Sequence, residues 1–282
     1  FDVSKEGKKK FSYRMKRWIL VIAIHLLFFL SFFIDIQTLE GTLNGSRFLG
    51  FHLIDPFTTM QVYLSTFEMP INIVIGTVTI ILFYMLVGGR SYCAWVCPYG
   101  LLSEIGEKWH DALVAKKIIK SRKFDHRIRY IFWAIFLILA FTSGYLVFET
   151  FNVVGILSRM VAYGWSLAFI WVVVVLALEV FFSRRAWCTY ICPIGTTYGM
   201  IGKASALRVE WNDNCDHCMV CHDVCFENQV LEIVKAKYDK QREEKGITSE
   251  YITGADCTLC GRCIDVCHTD ALKFDFRLKG LV

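Results

Sequence analysis

Eight cysteines near the end of the chain stand in two runs, CDHCMVCHDVC at 215–225 and CTLCGRCIDVC at 257–267. Each reads C-x2-C-x2-C-x3-C, a spacing suited to cubane iron–sulfur clusters. The short gaps let three thiolates of one run wrap three irons, while the fourth cysteine reaches the neighbouring cluster. One [4Fe–4S] cluster is therefore expected on Cys215, Cys218, Cys221 and Cys267, and a second on Cys257, Cys260, Cys263 and Cys225. Four cysteines also suit zinc, but a four-cysteine run written twice favours clusters. Proline commonly follows the fourth cysteine. Phe226 and His268 stand there instead, which leaves ligation intact and alters the backbone N–H contacts that tune a cluster.

Four further cysteines form a second repeat, GGRSYCAWVCPYG at 88–100 and SRRAWCTYICPIG at 183–195. An offset of 95 residues, Cys188 less Cys93, superposes Arg90 on Arg185, Cys97 on Cys192, Pro98 on Pro193 and Gly100 on Gly195. On one helical turn, cysteines at i and i+4 share a face. Cys93, Cys97, Cys188 and Cys192 are thus candidates for a third metal or iron–sulfur centre. The arginines beside them would lower thiol pKa and offset thiolate charge. A redox-active thiol pair and a structural elbow are the other readings left open. Pro98 and Pro193 stop any preceding helix and turn the chain.

The elements that must carry these motifs are apolar. The chain of 282 residues is 55% hydrophobic and 15% aromatic, with a mean hydropathy of +0.44. Segments at about 18–36, 71–87, 130–148 and 165–182 approach the roughly 20 apolar residues of a membrane span. Seven Lys/Arg precede the first segment and nine lie at 88–129, whereas the other two loops hold only Arg47 and Arg159. That asymmetry predicts a bacterial inner-membrane protein with four spans and both termini in the cytoplasm. No cleavable signal is expected. The predicted fold is a membrane all-α four-helix bundle of two hairpin repeats, followed by an α+β two-cluster ferredoxin-like domain. Its divisions are a basic N-terminus at 1–17, a membrane domain at 18–203 and the cluster domain at 204–282. The segment 41–70, broken by Gly45, Gly50 and Pro56, reads as interfacial or re-entrant. EIVKAKYDKQREEKG, between the two cysteine runs, reads as a charged insertion. A net charge of +5 spread over these loops does not suggest nucleic acid.

The order of GGRSYCAWVCP, LIDPF in the first outer loop, RRAWCTYICPIGTTYGMIG and CGRCIDVC closely resembles the NapH-type polyferredoxins, a family with NosR-like and MauN-like members. The likeness runs over essentially the whole chain. It implies a quinol dehydrogenase subunit that passes electrons through iron–sulfur clusters. The implied partners are a NapG-type iron–sulfur protein or a multihaem c-type cytochrome, serving a periplasmic reductase such as nitrate reductase. Quinone or quinol would be the substrate, drawn from the membrane lipid pool. Candidates for the quinol and its protons are His25, Asp35, His52, Asp55 and Glu179, with Glu40, Glu68, Glu104 and Glu149 as further acids. The other reading is a CcoG-like maturation factor that reduces a metal ion or a disulfide. Copper handling would favour Met- or His-rich clusters, and the seven Met and seven His are dispersed.

Overall fold

The apolar runs form helices, but left-handed caps and polar starts cut them short. In the computed structural model, residues 2–3, 9–10, 12–34, 39–42, 45–48, 51–122, 124–164, 166–235, 248–252 and 255–277 are described. Short strands β1 (Asp2–Val3) and β2 (Lys9–Lys10) precede helix α1 (Tyr13–Ile34). Strands β3 (Leu39–Thr42), β4 (Gly45–Phe48) and β5 (Phe51–Ile54) form an antiparallel meander in the segment read as interfacial. Helices α2 (Pro56–Thr66) and α3 (Ile71–Val87) follow.

The first cysteine pair lies on α4 (Ser91–Trp95) and at the start of α5 (Pro98–Ala115). Helices α6 (Ile128–Ser143), α7 (Val147–Phe151), α8 (Val153–Tyr163) and α9 (Phe169–Phe181) lead to a π-helical turn at Trp187–Ile191 and then α10 (Pro193–Gly202). The remainder is β6 (Leu207–Asn212), α11 (Val220–Val224), a 3-10 helix at Asn228–Val234, β7 (Ser249–Tyr251), α12 (Arg262–Asp265) and β8 (Leu272–Phe276).

This architecture overturns the four-span bundle. Among the described residues no helix is long and apolar enough to cross a membrane. The run expected to continue to 148 ends where Gly144 takes φ +64° and caps α6 after 16 residues. The last run yields only the 13 residues of α9, because residues 166–168 precede its first helical position. Helix α3 has 17 residues, and α1 begins with Arg14, Lys16 and Arg17. The inner-membrane placement and its cytoplasmic termini rested on those spans and fall with them. The fold is a mixture of helices and small sheets.

Chain contacts divide the molecule into two units. One comprises Phe1–Leu20, Tyr84–Trp95 and Tyr198–Val282, and the other Val21–Phe83 and Val96–Thr197. In the first unit β6 is the central strand, antiparallel to β7 and β8, with Val209 opposite Phe274. Val209, Trp211, Leu231, Val234, Ile252 and Leu272 form its core, and cysteines of both runs pack against it. Asp265 accepts hydrogen bonds from the Tyr13 and Arg14 N–H groups at 2.9 and 3.2 Å, so it caps α1 from the far end of the sequence.

In the second unit α5 packs on α9. Gly106 makes room, since a Cβ there would stand 2.9 Å from Leu176 Cδ1. The buried face of α5 is polar: Tyr99, Ser103, Glu107 and His110 recur at helical spacing. Phe57 and Phe148 cross edge to face at 5.5 Å in the apolar core.

Candidate metal centres

The two cysteine runs share one backbone course. An offset of 42, Cys257 less Cys215, pairs His217 with Leu259 and Met219 with Gly261. All four adopt positive φ, at 56°, 50°, 59° and 73°. Left-handed residues two apart turn the chain sharply, and such turns present backbone N–H groups in a concavity suited to anions and iron–sulfur centres. Met219 and Leu259 carry the strain that glycine relieves at Gly261. The repetition of this geometry marks both loops as cradles.

Electrostatic neighbours sort the cysteines. The Cys221 thiol is pushed up to about 11, by burial first and then by Cys215, Cys267 and Cys218. The Cys225 thiol is raised by burial and then by Cys260 and Cys257, members of the other run. Burial also raises Cys263, followed by Cys260, Cys257 and Cys225 and then by Cys221 of the other set. Buried thiols held at such density fit a cofactor whose positive irons stabilise the thiolates.

Residues next to the cysteines reinforce the grouping. His268 Nε2 meets Asp216 Oδ2 at 2.8 Å on the surface, linking neighbours of Cys267 and Cys215. The position where proline is usual thus holds half of an ion pair. Asp216, Cys218 and His268 are also a close-set group of possible ligands for one ion, all exposed. At the other loop Arg90 Nη1 donates to Glu227 Oε1 at 3.3 Å and to the Asp256 carbonyl at 3.2 Å.

The twin Cys-x3-Cys-Pro segments are local copies of one another. In each, a five-residue helical turn carries the first cysteine, Cys93 on α4 and Cys188 on the π turn. The second cysteine is extended, Cys97 at ψ 121° and Cys192 at ψ 109°. Proline then opens the next helix. A residue before proline is pushed to extended geometry and proline is pre-set for the first helical turn, so the chain breaks and restarts at each motif.

Cys188 lies in the electrostatic reach of Cys192 and Cys97, all in the second unit, while Cys93 falls in the first. Burial lifts the Cys188 thiol well above its ordinary range, Glu179 adds to this, and Arg185 pulls against it. Burial wins. A nucleophilic thiol needs the opposite shift, so the arrangement suits a ligand rather than a thiol-exchange pair. Arg185 is itself engaged, its Nε 2.6 Å from Glu107 Oε2. On α5 itself, the Tyr99 hydroxyl is raised by burial and then by Glu179.

The quinol candidates are not brought together. Asp35 lies outside the described residues, as does most of the charged insertion between the runs. His25 Nδ1 is 2.7 Å from the Val21 carbonyl of its own helix. Asp55 caps α2, accepting from the Phe57 and Thr58 N–H groups at 3.0 and 3.2 Å. The His52 carbonyl lies where a Cβ on Gly76 would stand, at 1.5 Å, so β5 lies directly on α3. Glu179 is buried and accepts the Trp187 N–H at 3.1 Å.

A groove of about 1010 Å³ opens elsewhere in the second unit, lined by Val62, Tyr145, Glu149, Ile156, Arg159 and Met160 among others. Glu149 Oε1 accepts from Thr58 Oγ1 at 3.3 Å and from Asn152 Nδ2 at 3.4 Å. Sequence alone placed Glu149 among many acids. What separates it is Asn152, fully buried, which also caps α8 through the Val154 N–H at 3.1 Å.

Residues 69–119 and 163–212 match a family described as a 4Fe-4S binding domain, and each stretch holds one Cys-x3-Cys-Pro. Residues 214–271 match a 4Fe-4S dicluster domain. The chain is 30% identical to the ferredoxin-type protein NapH of Haemophilus influenzae over 91% of this chain and 87% of that protein. It is 30% identical to the methylamine utilization ferredoxin-type protein MauN of Methylorubrum extorquens over 86% of this chain and 81% of that one. The NapH of Escherichia coli K12 is 28% identical over 98% of this chain and 96% of its own length. The chain belongs to the NapH and MauN family of ferredoxin-type proteins. No solved structure matches it. Like its NapH and MauN relatives, it is a ferredoxin-type electron-transfer protein with [4Fe–4S] domains.

Proposed function

We propose that the protein is the electron-transfer subunit of a quinol dehydrogenase. In this reading it oxidises a quinol and hands electrons through [4Fe–4S] clusters to a partner redox protein. What supports the reading is the electrostatic grouping of the ferredoxin cysteines: Cys221 feels Cys215, Cys267 and Cys218, and Cys225 feels Cys260 and Cys257, as two crossed ligand sets, Cys215, Cys218, Cys221 with Cys267 and Cys257, Cys260, Cys263 with Cys225, would require. Clusters supply one-electron storage. A quinol releases two electrons and two protons on becoming a quinone, so the protein needs two one-electron seats and a place for the protons.

The groove beside Glu149 supports the second requirement. Its walls are mostly apolar, as a quinol ring needs. Asn152 and Thr58 fix the carboxylate by donating to one oxygen. Glu149 would take one proton and the open mouth of the groove would release the other to water. The partner best suited is a NapG-type iron–sulfur protein or a multihaem c-type cytochrome, with a reductase such as periplasmic nitrate reductase as terminal acceptor. Kinship with MauN leaves methylamine utilization as another pathway that the same electron transfer would serve.

The test is anaerobic mixing of the purified, cluster-loaded protein with excess menadiol. The EPR signal of a reduced cluster should develop, and Glu149→Gln should slow its appearance roughly 10²–10⁴-fold, the usual range for loss of a general base. Clusters that respond to dithionite and never to a quinol would exclude the reading.

A further inference from the structure

A His–Asp contact ties the two cysteine runs together beside the first ligand set. His268 and Asp216 follow Cys267 and Cys215 and meet directly at 2.8 Å. At the second set the corresponding residues are Phe226 and Thr258, and the acids stand elsewhere: Glu227 two residues past Cys225, and Asp256 immediately before Cys257. Left alone they would repel.

Arg90 lies between them. It is 2% exposed, and Nη1 approaches Glu227 Oε1 at 3.3 Å, the Asp256 carbonyl at 3.2 Å and Asp256 Oδ1 at 3.5 Å. Gln229 Nε2 holds the other Asp256 oxygen at 2.7 Å. Arg90 belongs to neither ferredoxin run, since it is the arginine of the first Cys-x3-Cys-Pro copy. From the same segment Trp95 Nε1 donates to the Leu259 carbonyl at 2.9 Å, so the segment grips the second cluster loop at two points.

We propose that Arg90 is a positioning residue for the second cluster, joining the flanks of Cys225 and Cys257 and setting that cluster's reduction potential independently of the first. The inference rests on the crossed ligand sets stated above. A guanidinium stays protonated when buried, and a fixed positive charge in low dielectric favours the more negative, reduced state of a neighbouring centre. Without Arg90 the nearly inaccessible Glu227 (1% exposed) would lose that guanidinium beside the cluster, and reduction would become harder.

The experiment is a potentiometric EPR titration, with dithionite as reductant, on full-length wild type, Arg90→Gln and Arg90→Lys. Arg90→Gln should lower the midpoint of one cluster and leave the other unmoved. Arg90→Lys, which keeps the charge and loses the fork, should fall between. Cys225→Ser identifies the affected cluster by removing its signal. Equal displacement of both midpoints, or of neither, would overturn the proposal. If Arg90→Gln yields no loaded protein, Glu227→Gln supplies the second arm. Deleting that buried negative charge should raise the same midpoint only, and unchanged midpoints there would sink the idea. Loss of the Cys215 cluster in Cys225→Ser would instead break the crossed assignment beneath it. A failed quinol reaction would touch neither result.

Discussion

Glu107 is 1% exposed and receives a guanidinium on each oxygen. Arg184 Nη2 lies 2.7 Å from Oε1 and Arg185 Nε 2.6 Å from Oε2. Arg185 is the counterpart of Arg90, so the two copies of the motif spend the same residue on different acids. Arg90 clamps acids that flank cluster cysteines, whereas Arg185 clamps the buried face of α5. Removing one member of a buried pair costs about 3–5 kcal/mol, although Arg184, whose Nη2 also meets Asp111 Oδ2 at 3.3 Å, keeps a counter-charge. Glu107→Gln should lower the urea midpoint by that order with the slope unchanged. Glu107→Gln combined with Arg185→Gln should cost less than the two single changes summed, because the orphaned charge disappears with its partner. A loss under about 1 kcal/mol would class the pair with exposed ones.

The elements meet these residues through close backbone contacts, and Gly89 is the tightest in the first unit. A Cβ there would stand 2.0 Å from the Tyr198 carbonyl and 2.3 Å from the Gly202 nitrogen, both main-chain atoms of α10. Neither can rotate away, so Gly89→Ala must displace the segment that delivers Arg90. It should cost roughly 1–3 kcal/mol, as overpacking does, and reproduce the lowered midpoint of Arg90→Gln. Gly202→Ala is the control, because a Cβ there would meet Gly89 N at 3.4 Å, an ordinary contact. Stability and midpoint should stay near wild type.

Much of this scale was legible beforehand. The C-x2-C-x2-C-x3-C runs announce the cradles, and proline after cysteine announces a helix restart. Asp55 before Pro56 carries the signature of an N-cap, the role its carboxylate takes at the start of α2. Helix length was not legible, because an apolar window averages through Gly144 without registering its left-handed φ. The Arg90–Glu227 pair joins residues 137 apart, beyond any local pattern.

At the scale of the whole chain, the open quantity is how many centres the twelve cysteines hold. Two cubanes require about eight iron atoms, and a third adds about four. The family match at 69–119 and 163–212 favours a centre at the Cys-x3-Cys-Pro repeats. So does the chemistry of Cys97, Cys188 and Cys192. Their mutual charge and burial hold the Cys188 thiol neutral unless something positive replaces its proton. Wild type should therefore bind about twelve iron and a matching amount of acid-labile sulfide per chain. Cys188→Ser should lose about four of them and keep both ferredoxin EPR signals, whereas Cys225→Ser should keep the iron associated with Cys188 and lose the Cys257 cluster. Wild type with about eight iron, unchanged in Cys188→Ser, would leave the repeat as a pair of structural elbows. In that case Cys188 should be alkylated more slowly than the exposed Cys218 in folded, iron-free protein, since a half-buried neutral thiol is a poor nucleophile.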